Sequence, residues 1–600
     1  MKDQFEDYDL EDAHNGSDDS SDDDSDDSDS DSDAGSDSDD GSDDDSDDGS
    51  DDDSDDGSDD GSSDGSSDGS DDDSSDDDSD DDEKNDAKDK LIDEEGSGKK
   101  SKKKGKDDDS GKKKKLSGLR DFWIQAEVPQ EQKIFSKDNS GIPLTYFVLG
   151  MTQGLLLPIL NDLPQDLGAT SAEQGSISAV YYLPFYFQIF LAFLTDTKII
   201  RGYRRKPYMV IGWSIAIIAV LSLILFSDAS HKPGTTPSDR SPSNSFLTAV
   251  LFFYGFGSTL ATVATDGMIV EKYLLETGDR KGHFLVSCLA FKFFGFLISV
   301  PTGTLYYESS GSGAIFAFLA IFPFLLFPVY WFLREQDLKK DKLAPGKKQA
   351  ATIWETIKTK SVYQSLGSLF FYLFLQVQNT GFNVFLLSEG LTDYDINVTI
   401  ILAVLLMFFG ILVYKQFLML RNWKHLFMAT TLATAVISCL QLVMVNGNAN
   451  LGLAIVYRML RGFVHAIELV PLTLILAALS IKGSEATTFA MFTSIVTFAM
   501  GIATSISVSL QGRFDITEEN LENGTAGNLS FLVIIVTLLP ILGMFGVRYM
   551  PTGREMIDSW KDTQKLTMGL ILMGVIALSI FYALVVSLLS FVVYEVAVSD

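Results

Sequence analysis

Residues 195–213 read TDTKIIRGYRRKPYMVIGW. Five cations, Lys198, Arg201, Arg204, Arg205 and Lys206, are packed behind one acid, Asp196. The flanking runs are long, apolar and almost free of charge. A basic knot between two greasy segments reads as a short loop joining two membrane helices. Each flank reaches the roughly 20 apolar residues that a helix needs to cross a bilayer core of about 30 Å.

Working outward from that loop, thirteen apolar spans follow from about residue 141: 141–161, 173–195, 207–228, 246–271, 283–307, 312–333, 363–387, 397–417, 425–445, 451–481, 486–511, 527–549 and 566–595. A hydrophilic stretch from Arg334 to Lys360 divides them into six and seven. The pattern predicts an all-α polytopic membrane protein with two six-helix halves and one extra C-terminal transmembrane helix, the layout of a two-halved transporter. The predicted organisation is a membrane half at 141–333, a central loop at 334–362, a second half at 363–549, and a linker with the extra helix at 550–600.

The net charge of -37 belongs to the N-terminus. Residues 1–95 carry 48 Asp and Glu against four Lys, in repeats such as SDDGSDDGSSDGSSDGSDDD. With so little apolar surface to bury, this Asp/Ser-rich tail is expected to be disordered. Its serines suit an acidophilic kinase, and its partner is unknown. Residues 96–140 form a basic linker and juxtamembrane segment, and the acidic start shows no secretory leader.

Loop charges set the expected orientation. Twenty-four Lys and Arg fall in loops on one side and three, Lys232, Arg240 and Arg513, on the other. The basic side, with the N-terminus, is expected to be cytosolic and Asp600 extracytosolic, in a multi-pass protein of the plasma membrane. The sequons at Asn397, Asn523 and Asn528 fall on the non-basic side or at its edge, where glycosylation would be possible. Cys288 and Cys439 both lie in apolar runs, with no disulfide or metal spacing. No phosphate-cradling loop and no metal-ligand motif is present, so the expectation is no enzyme, no cofactor, no metal, no nucleic acid, and transport driven by an ion gradient rather than ATP.

The segment LPFYFQIFLAFLTDTKIIRGYRRKPYMVIGW resembles the signature of the folate–biopterin transporter family, a branch of the major facilitator superfamily. The resemblance rests on Asp196, Gly202, Tyr203, Arg204, Arg205, Lys206, Pro207 and Tyr208. TDGMIVEKYLLETGDRKGHFLVSCLAFKFFGFLISVPTG is similar to the family's fourth and fifth helices. The resemblance implies a transporter of folate or pteridine-like solutes. One position departs: where the family has Pro-Trp-x-x-Lys, this chain has Pro184-Phe185-Tyr186-Phe187-Gln188. The missing cation keeps a cationic metabolite such as S-adenosylmethionine open as an alternative substrate. A non-transporting receptor or scaffold acting through the tail is a third reading.

Ionisable groups inside spans are costly in lipid and are functional candidates. Asp266 and Lys292 lie in spans four and five. Arg458, Arg461, His465 and Glu468 share one face of span ten by their spacing, and Gln376, Asn379 and Asn383 share one face of span seven. Lys292 and Arg461 are expected to hold carboxylate or phosphate groups, and Asp266, His465 and Glu468 to take a coupling proton. Asp266 or Glu468 is alternatively expected to pair with ring amino groups. Asp196, Arg201, Gly202, Arg204, Arg205 and Lys206 are expected to form a cytosolic gate, with topology-setting as the plainer alternative.

Overall fold

In lipid a backbone has no water to bond, so each apolar run must satisfy its own N–H and C=O groups, and helices result. The computed structural model describes residues 133–599 except 229–230, 234–240, 278–280, 336–345, 518–519 and 522–525. The acidic tail, residues 96–132 of the basic linker, the middle of the central loop and Asn523 lie outside the described residues. The described residues all belong to one unit, Ser101–Asp600.

The first half contains α1 (Gly141–Asn161), α2 (Ser171–Tyr186) continuing as α3 (Gln188–Thr197), α4 (Lys206–Phe226), α5 (Asn244–Leu275), α6 (His283–Ser310), and α7 (Ser312–Phe324) continuing as α8 (Leu326–Phe332). A short helix, α9 (Gly346–Ile357), follows the central loop. The second half contains α10 (Lys360–Phe374), α11 (Phe382–Ser388), α12 (Asp393–Val413), α13 (Trp423–Val443), α14 (Leu451–Leu479), α15 (Glu485–Arg513) and α16 (Ala526–Val547). Then come α17 (Arg554–Ser559) and the extra helix α18 (Leu566–Ser599).

Among the described residues, eleven helices are long and apolar enough to cross a membrane. Span seven falls short for a physical reason. Span seven, expected to be continuous over 363–387, is split into α10 and α11, with residues 375–381 unwound. The sequence there, QVQNTG, combines poor helix formers with side chains that compete for backbone groups. The face expected for Gln376, Asn379 and Asn383 therefore does not arise from helical spacing. The last helix, Leu566–Ser599, contains the apolar stretch Leu566–Tyr582 among the described residues.

Within each half, helices pack through small residues. A Cβ on Gly150 of α1 would lie 1.8 Å from the Lys292 carbonyl oxygen of α6, and one on Gly295 of α6 would lie 2.2 Å from the Phe147 carbonyl oxygen. This close approach is available only to glycine and is the usual route to tight helix pairs in lipid. The halves meet where α15 packs on α3 and α5, and where α6 packs on α12. The extra helix lies against α2 of the first half and α15 of the second.

Candidate functional site

The basic loop begins with a tight turn. Ile200 and Tyr203 exchange two backbone hydrogen bonds of 3.0 Å around Arg201 (φ 52°) and Gly202 (φ 86°). Two consecutive positive φ values suit a two-residue reversal, and Gly202 meets that demand without strain. Arg201 is exposed at the tip. The turn aims Arg204 and Arg205 inward.

Both arginines end in a buried ion cluster that joins the two halves. Arg204 Nη2 donates to Asp196 Oδ1 at 2.6 Å, to Glu485 Oε2 at 3.0 Å and to the Gly483 carbonyl at 2.6 Å. Arg205 Nη2 donates to Glu485 Oε2 at 2.6 Å and to Asp196 Oδ1 at 3.3 Å, while its Nη1 pairs with Glu271. Asp196 Oδ2 accepts from the Thr487 N–H and hydroxyl, each at 2.8 Å, so it also caps the start of α15. Asp196 and Arg205 are both 0% exposed. Burial alone would lower the Arg205 pKa; Glu485, Asp196, Glu271 and Glu335 outweigh it and raise it. Lys206 stays outside this cluster and donates to the Leu333 carbonyl at 3.2 Å, at the end of α8.

Several partners were not among the sequence candidates. Glu335 accepts from the backbone N–H groups of Arg204, Arg205 and Lys206 at 3.1, 2.8 and 2.9 Å, capping α4 from beyond α8. Gln349 of α9 donates to the Asp196 carbonyl at 3.3 Å. Glu271 was visible only as the acid closing the TDGMIVE segment, and Glu485 carried no signal tying it to a loop some 280 residues earlier.

A cavity of about 520 Å³ opens in the second half. Its wall includes Gln376, Asn379 and Asn383 beside the α10–α11 break, and Arg458, Arg461 and His465 of α14. Freed backbone at the break is met by α15: the Ser507 hydroxyl donates to the Gln378 carbonyl and accepts from the Thr380 N–H at 3.3 Å. Broken helices are tolerated at membrane depth when they line a cavity and are re-satisfied by neighbours. Arg458 donates to Asn383 Oδ1. Buried atoms without a hydrogen-bond partner gather here: Gln376 Nε2, both amide atoms of Asn379, Arg458 Nε and Arg461 Nη1. No Asp or Glu is among the described lining residues. Glu468 lies one turn deeper along α14, facing Arg461 and Tyr372.

Asp266 and Lys292 sit together in the first half, apart from this lining. The Tyr146 hydroxyl donates to Asp266 Oδ1, and Lys292 is the cation facing Asp266. The structure thus brings Arg461 and His465 together with Gln376 and Asn379, and does not bring Lys292 to the same cavity. Of the sequons, Asn397 lies inside α12 with Thr399 fully buried, a poor acceptor position, whereas Asn528 is exposed near the start of α16.

A family model described as the BT1 family matches residues 150–568. The chain belongs to the BT1 family. Similar curated proteins include the folate-biopterin transporter of Synechocystis sp., 21% identical over 68% of this chain and 80% of the relative. Folate transporter 1 of Plasmodium falciparum is 23% identical over 71% of this chain and 83% of its own length. Among solved structures, the human organic anion transporter MFSD10 (TETRAN) matches with a TM-score of 0.50 and 15% identity, over 70% of this chain and 100% of that one. The major facilitator proton:xylose symporter XylE matches with a TM-score of 0.50 and 12% identity, over 71% and 98%. These likenesses establish a multi-pass membrane transporter with the major facilitator fold. In this BT1 family member the departing residue, Gln188, is 3% exposed and donates to Ser494 Oγ of α15 at 3.2 Å, so it is spent on the seam between the halves.

Proposed function

We propose that this BT1 family member is a secondary transporter of folate- or pteridine-type anions that works by alternating access. The observation that carries the reading is the C-terminal-half cavity, where two guanidinium groups and two carboxamides keep buried donors without partners and no carboxylate is among the described lining residues, Glu468 lying deeper along α14. Arginines suit planar carboxylates bidentately, and carboxamides suit the donor and acceptor edge of a pterin ring. The printed names of the relatives, folate and folate-biopterin transporters, point to the same class. A cationic substrate would meet two arginines with no balancing acid among the described lining residues, which counts against the S-adenosylmethionine alternative.

The basic face is taken as cytosolic by its excess of Lys and Arg, and the membrane as the plasma membrane. The Arg204–Arg205 cluster then closes the cytosolic side while the cavity lies toward the other, an outward-facing arrangement. The coupling ion is a proton. Asp266, beside Tyr146 and Lys292, is the carrier in the first half, with His465 and Glu468 as carriers beside the cavity.

The test is an uptake panel in cells lacking folate transport. Labelled folate should accumulate, unlabelled pterin should compete, and an inward proton gradient should drive it. Uptake of a cationic metabolite without folate would overturn the substrate class. Deleting residues 1–115 should leave uptake intact; loss of a cellular role with no uptake in either form would favour a scaffold.

A further inference from the structure

The basic face carries a second contact between the halves, and it is built differently from the first. Past the end of α5, Gly282 at the start of α6 is pressed onto the second half. It adopts φ 93°, and a Cβ there would lie 2.5 Å from Leu474 Cδ2 of α14 and 2.7 Å from Met419 Cε. Close by sits Glu276, 5% exposed. Its carboxylate accepts from the backbone N–H groups of Gly282 and of Phe284, the latter at 2.9 Å. Among the described residues, the charged or titratable groups facing it or its neighbour Tyr273 come from every packed element. They are Tyr273 on α5, Cys288 on α6, Lys415 beyond α12, and Arg554 and Asp558 on α17. Arg554 is committed elsewhere, its guanidinium lying 5.0 Å from the centre of the Tyr273 ring. So where Asp196 meets two arginine side chains directly, Glu276 is buried, among the described residues, with two backbone donors and no ion pair.

We propose that Glu276 is a proton-binding site of the closed seam, holding a proton while Gly282 and the start of α6 are docked on the second half and releasing it to water at the basic face when the seam opens. The step is a simple dissociation, the carboxylic acid giving a carboxylate and a hydrated proton. Both backbone donors belong to the first half and stay with Glu276 when the halves part. What changes is the cover supplied by α14, Met419 and α17. In the docked state burial dominates and pushes the carboxyl up to about 7, against the pull of Phe284, Gly282, Arg554 and Lys415. In the opened state water returns and the group reverts to an ordinary Glu near 4.3, or below it.

The sign follows from linkage. The closed state binds the proton more tightly, so acid favours closure. That preference is lost as pH rises through about 7. Between pH 7.5 and 6.0 the closed-to-open ratio should rise about eightfold from this group alone.

The proposal rests on the alternating-access reading only in requiring that the seam opens. The test uses the full chain in lipid nanodiscs, with Cys288→Ala and Cys439→Ala. Spin labels go on Lys198→Cys and Lys482→Cys, exposed positions flanking the gate on opposite halves. Pulsed distance measurements should give a short and a long component, the short one gaining about eightfold over the long between pH 7.5 and 6.0. Glu276→Gln should remove that step, and Glu276→Asp should keep a step. The same step in Glu276→Gln, or no step in the parent, overturns the proton site while leaving alternating access standing. A single component in every variant at every pH overturns alternating access and the proton site together.

Discussion

Two pairs of arginines in this molecule sit in opposite circumstances. Arg204 and Arg205 are ion-paired: Asp196, Glu485 and Glu271 surround them, and the Gly483 carbonyl completes the cluster, leaving only the buried Nε of each unbonded. Arg458 and Arg461 face a cavity with no carboxylate among its described lining residues. A buried cation is paid for by a partner. In the basic loop the protein supplies that partner itself; on the proposed reading the cavity, with Glu468 facing Arg461 only from deeper along α14, leaves its lining to a ligand. On that reading the same residue type serves closure in one region and recognition in the other, and the difference lies in who brings the acid.

The harshest way to break this contrast is Arg205→Ala. It leaves the buried carboxylates of Glu485 and Asp196 to Arg204 alone, one cation against two acids, at a cost of about 3–5 kcal/mol to the closed state. In spin-label distances across the basic face, the open population should gain two orders of magnitude or more, roughly, over the closed one. An unchanged distribution would mean the cluster is not a gate.

Arg461→Ala sharpens the other side. Losing one charge-assisted contact of about 1.5–3 kcal/mol should raise the KM for folate roughly 10- to 100-fold, with surface expression unchanged. Arg461→Lys should recover only part, because a point charge cannot replace a planar fork. An unaltered KM would remove Arg461 from the recognition site.

The smallest expected effect is Glu335→Gln. The side chain still accepts hydrogen bonds, but the negative charge at the start of α4 is gone, a change of about 0.3–1 kcal/mol. The closed population should fall by at most about fivefold in the same distance measurement. A loss as large as that of Arg205→Ala would make Glu335 a principal gate member rather than a cap.

How far the sequence carried these two regions differs for a physical reason. The gate's own loop was legible because its charges interrupt long apolar runs and because Gly202 and Pro207 punctuate it locally. Its partners were not legible: Glu485 and Glu335 are ordinary acids at helix ends, and only folding brings them near. In the cavity, Arg461 and His465 announced themselves as ionisable groups in an apolar helix. The break at 375–381 was masked by hydropathy, since α10 and α11 are apolar on both sides of it; the signal lay in the cluster Gln378-Asn379-Thr380-Gly381. Lys292, in span five of the first half, was expected to share a site with Arg461 by charge and depth alone, and helix packing faces it to Asp266 instead.

The strands of chain at the base of α18 carry a mechanical consequence. The Lys360 N–H donates to the Thr563 carbonyl at 2.7 Å, and the Lys565 N–H to the Lys358 carbonyl at 2.9 Å. These bonds stitch the foot of the extra helix to the foot of α10, and the Tyr582 hydroxyl, 2.9 Å from that of Ser505, fastens it again to α15. Any rocking of the halves then carries α18 as a passenger of the second half. Its face against α2 is the bearing surface that has to slide, so friction along that one helix pair would set part of the work of each stroke.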